Sequence, residues 1–186
     1  MSNTTPRNST NNVINIIVII DTNSVINDFP LNAVSRDPKN PKSIAHKYAY
    51  MVAPGQSTIS GNGTSDLNVK ANIDDVIRWT GISESDNSDS GVLIHGLPKY
   101  AGNTVFDGLE FINSARVESE PSPTNSNSAL PVTFAERKHW YAQAIVTDVG
   151  TEHYQVQFAL YYRPHGGDQE LYGYFQWDPT ITVKEQ

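Results

Sequence analysis

The sequence predicts an all-β fold: an antiparallel β-sandwich, jelly-roll or Greek-key-like, with at most short helical turns. Three observations predict it. Short apolar, β-branched or aromatic runs recur between clusters of Gly, Pro, Asn and Ser. The C-terminal third alternates apolar and polar residues with period two. No stretch carries a sustained helical stripe, and strands do not alternate with helices as a parallel α/β sheet requires. With 186 residues the chain suits one domain and can close a real hydrophobic core. No internal repeat supports a propeller or a solenoid.

Met1 to Asn12, MSNTTPRNSTNN, holds one apolar residue and is rich in Ser, Thr and Asn. Such a segment cannot bury enough surface to offset its ordering entropy, so residues 1–12 are expected to be a disordered polar tail and residues 13–186 a single β-sandwich domain. Val13 to Ile20, VINIIVII, reads as a core strand covered on both faces or lying on the seam of a sandwich. It is far short of the roughly 20 residues a bilayer needs. It also contains Asn15, is preceded by a polar leader with the single cation Arg7, and lacks a small-residue cleavage site in the expected place. The chain is therefore expected neither to span a membrane nor to leave by the general signal-peptide route.

In DTNSVINDFP, Asp21, Thr22 or Asn23 can cap a short helical turn that Pro30 stops. Ser35 to Ser43 is a Pro-punctuated surface loop. YAYMV, DLNVKA, DVIRWTGI and GVLIHGL follow as short strands, and the section from Pro98 onward reads as irregular, with ESEPSPTNSNSALP as a surface loop. HWYAQAIVT, YQVQFALYY and ELYGYFQWD then carry the clearest strand pattern, the last two joined by a turn at PHGGDQ. In the second, Tyr154, Val156, Phe158, Leu160 and Tyr162 alternate with Gln155, Gln157 and Ala159. In the third, alternation sets Leu171, Gly173, Phe175 and Trp177 on a core face and Tyr172, Tyr174 and Gln176 on the other. That tyrosine face suits a subunit interface or stacking on sugar rings if exposed, or else lies under a loop.

The balance of 20 Asp and Glu against 13 Lys and Arg gives a net charge of −7. A field of that sign repels phosphate backbones, so nucleic acid is not an expected partner. The absence of cysteine excludes disulfides, thiolate metal sites and a thiol nucleophile. His46, His95, His139, His153 and His165 form neither a helical i, i+4 pair nor HExxH, so zinc is not expected, and His95 reads as a packed strand residue. There is no G-x-S-x-G elbow, and Gly61 to Gly63 lacks the dinucleotide-loop register. No enzymatic activity is expected.

The stretch with the most specific chemistry is SESDNSDSG, Ser83 to Gly91. Calcium takes about six to eight oxygens in flexible geometry, which Asp, Asn and Ser in a bent loop supply. Asp86, Asn87 and Asp89 lie close together, with Glu84 beside them, and Asp21 and Asp178 end the first and last clear strands. The candidate metal set is therefore Asp86, Asn87, Asp89, Asp21 and Asp178. The same residue types also favour plain solvated turns, and Asp21 and Asp178 can simply cap the chain that follows them. An EF-hand register is absent. Locally the loop is similar to the Asp-Asn-rich loop of bacterial two-calcium sugar-binding lectins, where metal holds sugar hydroxyls.

INIIVIIDT, DPKNPKSIAHK, GNGTSDLNVKANIDD, DNSDSGVLIHGL and QELYGYFQWDPTITV together resemble the PixA/AidA family of bacterial inclusion body proteins. The resemblance runs over residues 14–183 and is least obvious between Phe111 and Trp140. It implies a β-sandwich protein of the bacterial cytoplasm that accumulates as inclusions and has no established enzymatic activity. It also implies calcium (Ca2+) binding with calcium-dependent assembly. The chain departs from the methionine-rich composition linked to inclusion formation in named members, having two Met. The expectation is a non-enzymatic, self-assembling homo-oligomer; the alternative is a calcium-dependent carbohydrate-binding module. Neither nucleic acid nor membrane is an expected partner.

Overall fold

The first strand, β1 (Val13–Ile20), is nearly all apolar, yet its exposure alternates: Ile14, Ile16, Val18 and Ile20 are buried while Val13 and Ile17 are exposed. It is covered on one face, not two. The β-branched residues on its open face fit a pleated strand whichever side they occupy, which is why composition alone concealed the alternation. The structure, a computed structural model, describes residues 11–124 and 126–184. The polar tail expected over residues 1–12 lies outside these except at residues 11 and 12. There the Asn12 N–H donates to Asp75 Oδ1 at 2.8 Å.

A short helix, α1 (Thr22–Asp28), follows with Asp21 as its N-cap, accepting from the Ser24 N–H at 2.9 Å. Then come β2 (Lys42–Ser43), β3 (Ala49–Val52), β4 (Thr58–Ser60), β5 (Asn68–Lys70), β6 (Val76–Ser83) and β7 (Gly91–Gly96). β8 (Lys99–Gly102), β9 (Phe106–Pro121), β10 (Val132–Val146), β11 (Gly150–Tyr154), β12 (Val156–Tyr162), β13 (Glu170–Trp177) and β14 (Thr180–Lys184) complete the order. No helix among the described residues is long and apolar enough to cross a membrane.

The strands form a sandwich-like, mostly β fold in three ladders. The first has the order β3-β1-β6-β10-β9. The other two, β2-β13-β12-β7 and β4-β5-β14-β11-β8, are halves of one bent layer. Their shared hairpin shows it: His153 pairs Thr180 and Val156 pairs Trp177, so the register carries unchanged across Gln155 and the Asp178-Pro179 corner. Most pairs are antiparallel as expected, but β1–β6, β2–β13 and β5–β14 run parallel, so the sheets are mixed. Parallel pairing needs a long crossover, and the stretch between β1 and β6, carrying α1 and four strands, supplies it.

The layers meet in one core cluster. Trp79 of β6 sits edge-on to Phe106 (5.3 Å) and Tyr154 (6.2 Å), while Phe158 stacks on Phe175 at 5.7 Å. Two buried carboxylates are satisfied by backbone N–H groups: Asp75 by Asn12 and Asn72, and Glu152 by Val105 at 2.7 Å.

Two sequence expectations are corrected here. The section read as irregular from Pro98 onward contains β8 and the 16-residue β9, and the segment expected as a loop from Glu118 is strand as far as Pro121. β9 is rich in Asp, Glu, Ser, Asn and Arg, and its strand state is set by pairing with β10, which local composition does not reveal. Tyr172 does not share an open face with Tyr174. Leu160 pairs Gly173 and Tyr161 pairs Leu171, so Tyr172 is the extra residue of a β-bulge. The bulge turns it inward, where it is buried and its hydroxyl donates to the Phe29 carbonyl at 2.7 Å.

His95, on β7, is half-buried with its ring edge-on to Tyr174 at 5.4 Å. Burial pushes its pKa below the ordinary 6.5. The folded state therefore binds this proton more weakly than the unfolded chain. The neutral imidazole contributes its stability in full above about pH 6.5 and loses it as pH falls from there through the depressed folded value. Urea titrations at a series of pH values between about 7 and 5 should show His95→Gln less acid-sensitive than wild type. Equal slopes for the two proteins would contradict this.

Candidate functional site

The parallel pairing of β1 with β6 brings Ile20 opposite Ser83, so Asp21 and Glu84 leave the sheet side by side. Both carboxylates serve α1. Glu84 accepts from the Thr22 N–H (2.8 Å), the Thr22 hydroxyl and the Asn23 N–H (2.9 Å), and Asp21 takes the Ser24 N–H. The first three helical N–H groups, which have no partner inside a helix, are thus satisfied by two anions at the positive end of the helix dipole.

The rest of the acidic loop is knitted to itself. Asp86 (φ 53°) and Asn87 (φ 58°) are both left-handed, a conformation Asp and Asn tolerate better than most residues. The Asn87 side-chain oxygen accepts from the Ser83 N–H (3.0 Å) and the Val92 N–H (2.9 Å), and its amide donates to the Gly81 carbonyl (3.3 Å). It ties the ends of β6 and β7 together as a ladder bond would. The Ser83 hydroxyl donates to the Ser90 carbonyl (2.6 Å), and Gln169 donates to the Asn87 carbonyl (2.8 Å). Asp86 and Asp89 are exposed, and among the described residues their carboxylates accept no hydrogen bond, though Asp86 lies near enough to Arg137 to favour its charge.

Asp178 stands elsewhere. Gly91 lies against Tyr161, whereas Trp177 pairs Val156 five residues further along β12, so Asp178 is at the opposite end of that ladder, roughly 17 Å away. Its neighbour is His46, whose Nε2 is 3.4 Å from Asp178 and whose Nδ1 is 3.1 Å from Asp66. Of the five candidate metal ligands, the structure thus gathers Asp21, Asp86, Asn87 and Asp89 at one rim and leaves Asp178 at the other. Asp21 and Asn87 there already accept backbone hydrogen bonds. Among the described residues no group of three or more His, Asp or Glu side chains is arranged to hold a metal ion.

A second feature was missed in the sequence. β10 pairs β6 only from Ala142 to Ile145; from Val132 to Tyr141 its ladder partner among the described residues is β9 alone. The two strands therefore leave the first sheet as a ribbon. Directly opposed residues share a face. The register puts Phe111, Ala115, Val117 and Pro121 with Val132, Phe134 and Trp140 on one face, a largely apolar set interrupted by Asn113, Ser119, Glu136 and Lys138. The other carries Glu118, Glu120, Arg116, Arg137 and His139.

The exposure is the reverse of the usual pattern. The apolar face looks outward, with Val117 and Phe134 each 70% exposed, while the polar face is partly covered. There Glu118 pairs with His139 (2.7 Å) and Glu120 with Arg137 (2.6 Å). Residues of both faces, Glu118, Arg137 and His139 with Lys138 and Trp140, line a cleft of about 500 Å³ against β6 and β7, together with Asp86 and Leu93. The sequence signal was faint: Val132 and Phe134 alternate with Thr133, but Ser119, Glu136 and Lys138 break the pattern on either strand.

A family model described as PixA, inclusion body protein, matches residues 12–183. Among solved structures, the chain is similar to the crystal structure of an inclusion body protein, PixA, from Burkholderia cenocepacia. The two are 24% identical with a TM-score of 0.78, over 97% of this chain and 100% of that one. A likeness to the solution structure of amebosin covers 78% of this chain and 100% of that one at 12% identity. Its TM-score of 0.19 is too low to carry an argument. No curated protein matches the chain.

If the rim acids act as caps and turn formers, substitutions should separate by hydrogen bonding. Asn87→Ala should cost about 1–3 kcal/mol and Glu84→Ala about 1 kcal/mol, while Asp86→Ala and Asp89→Ala stay within about 0.5 kcal/mol, read by urea denaturation without added metal. A loss at Asp89 as large as that at Asn87 would overturn the assignment.

Proposed function

Because the chain belongs to the PixA family of inclusion body proteins, we propose that it is a non-enzymatic protein of the bacterial cytoplasm whose role is to self-associate into higher-order assemblies. The observation that carries this reading is the outward apolar face of the β9–β10 ribbon. A two-stranded ribbon is only marginally stable alone, and apolar side chains left open on it gain by being covered. The net charge of −7 opposes association by mutual repulsion and keeps dilute chains apart.

Calcium dependence belongs to the same proposal. At the rim, Asp86 and Asp89 are the carboxylates not committed to capping, so a divalent ion would act there by lowering repulsion or bridging copies. A closed intramolecular cage is not needed. Calcium-dependent carbohydrate binding is the second reading. It is favoured by the cleft of about 500 Å³, whose lining combines an aromatic ring, Trp140, with the carboxylates Asp86 and Glu118, the residue types a sugar subsite uses.

Particle size should be followed by light scattering across protein concentration and a Ca²⁺ titration with chelator reversal. The expected result is growth of the wild type, enhanced by Ca²⁺, with the Val117→Glu/Phe134→Glu variant staying monomeric at an unchanged Tm. A wild type that stays monomeric throughout would overturn the proposal. If Mg²⁺ reproduced the Ca²⁺ effect equally, screening and not specific bridging would be at work. Chelator-sensitive retention on immobilised sugars, without growth, would favour the second reading.

A further inference from the structure

We infer that the first contact in this self-association is edge-to-edge antiparallel pairing of β9 with β9 of a second copy, in a register centred on Asn113. The inference rests on the self-association reading above and names its partner and geometry. β9 is the end strand of the first sheet, and beyond β10 no strand among the described residues pairs with it. It is 16 residues long, with no proline before Pro121. An open edge of that length is a template for a further strand, and it lacks the usual protections of shortness or an interior proline.

The register follows from side-chain complementarity. A two-fold axis normal to the sheet keeps each residue on its own face, so the pairing must be centred on a residue and not between two. Centred on Asn113, Glu110 lies opposite Arg116 of the second copy, twice by symmetry. Phe111 faces Ala115 on the outward face, and Leu109, at the β9 irregularity, comes up to Val117.

Moving the centre by one residue destroys the match. Centred on Ser114, Glu110 opposes Glu118; centred on Ala115, Glu110 opposes Glu120 and Ile112 opposes Glu118; centred on Ile112, Arg116 meets only Gly108. Like charges or charge-on-apolar pairs directly opposed are unfavourable, and opposite charges favourable.

The local environment supports the match. Glu110 has one long contact, from the Gln143 amide at 3.4 Å, and Arg116 forms no ion pair among the described residues. Pairing from Glu110 to Arg116 would add about seven backbone hydrogen bonds and extend the five-stranded sheet to a ten-stranded one. The outward apolar stripes of the two ribbons would then lie side by side, available for further stacking.

Because the chain has no cysteine, a single introduced one reports the register directly. Opposed Cα atoms in an antiparallel pair are about 4.5–5.5 Å apart, within disulfide reach. Asn113→Cys should crosslink to a covalent dimer under mild oxidation, and Ala115→Cys, on the same face but off the axis, should do so at least about tenfold more slowly.

A charge exchange provides the second arm, read by sedimentation velocity. Glu110→Arg alone and Arg116→Glu alone should each weaken dimerisation about tenfold, and mixing the two variants should restore it, since every opposed pair is then of opposite sign. If the wild type associates but Asn113→Cys does not crosslink and mixing restores nothing, the register is overturned while self-association stands. If the wild type never associates, both fail.

Discussion

The parallel pairing of β1 with β6 is the constraint on which the rest depends. It places an almost wholly apolar strand inside the first sheet, so that Ile14, Ile16, Val18 and Ile20 anchor the core. The same register delivers Asp21 and Glu84 together at the head of α1. On its far side β6 takes up only four residues of β10, which forces the remainder of that strand out with β9 as a ribbon. One ladder thus fixes the core, the acidic rim and the outward face.

The acidic loop shows how composition suited to a cation can instead satisfy backbone. Asn87 turns its oxygen to two N–H groups and Glu84 turns its carboxylate to three donors, leaving only Asp86 and Asp89 uncommitted. A hydrogen-bonded Asn in a hairpin and a calcium-ligating Asn look alike in sequence. What separates them is whether their acceptors face inward to amides or converge on an empty point.

Much of the fold was legible. Strands with strong local signals, such as VINIIVII, DVIRWTGI and YQVQFALYY, lie where their patterns put them, and Asp21 caps a helix that ends at Asp28, two residues before Pro30. What was not legible depends on long-range pairing. The direction of β1 against β6 is decided by a crossover and not by either strand's residues. β9 is polar because neither face enters the core along most of its length, so periodicity scored it as loop. The bulge that buries Tyr172 arises from a one-residue mismatch between β12 and β13. The split of Asp178 from the other candidate ligands follows from strand direction, which single-strand patterns do not encode.

The central claim is that the apolar ribbon face and its open edge are where copies meet. Hydrogen exchange of the full chain, compared between dilute and concentrated samples, tests it most directly because it reports location as well as association. The account predicts that amides of residues 109–117 gain protection with concentration while the capped loop at residues 84–90 is unchanged. Concentration-dependent growth with no change in β9 protection, or with protection gained at the loop instead, would contradict it.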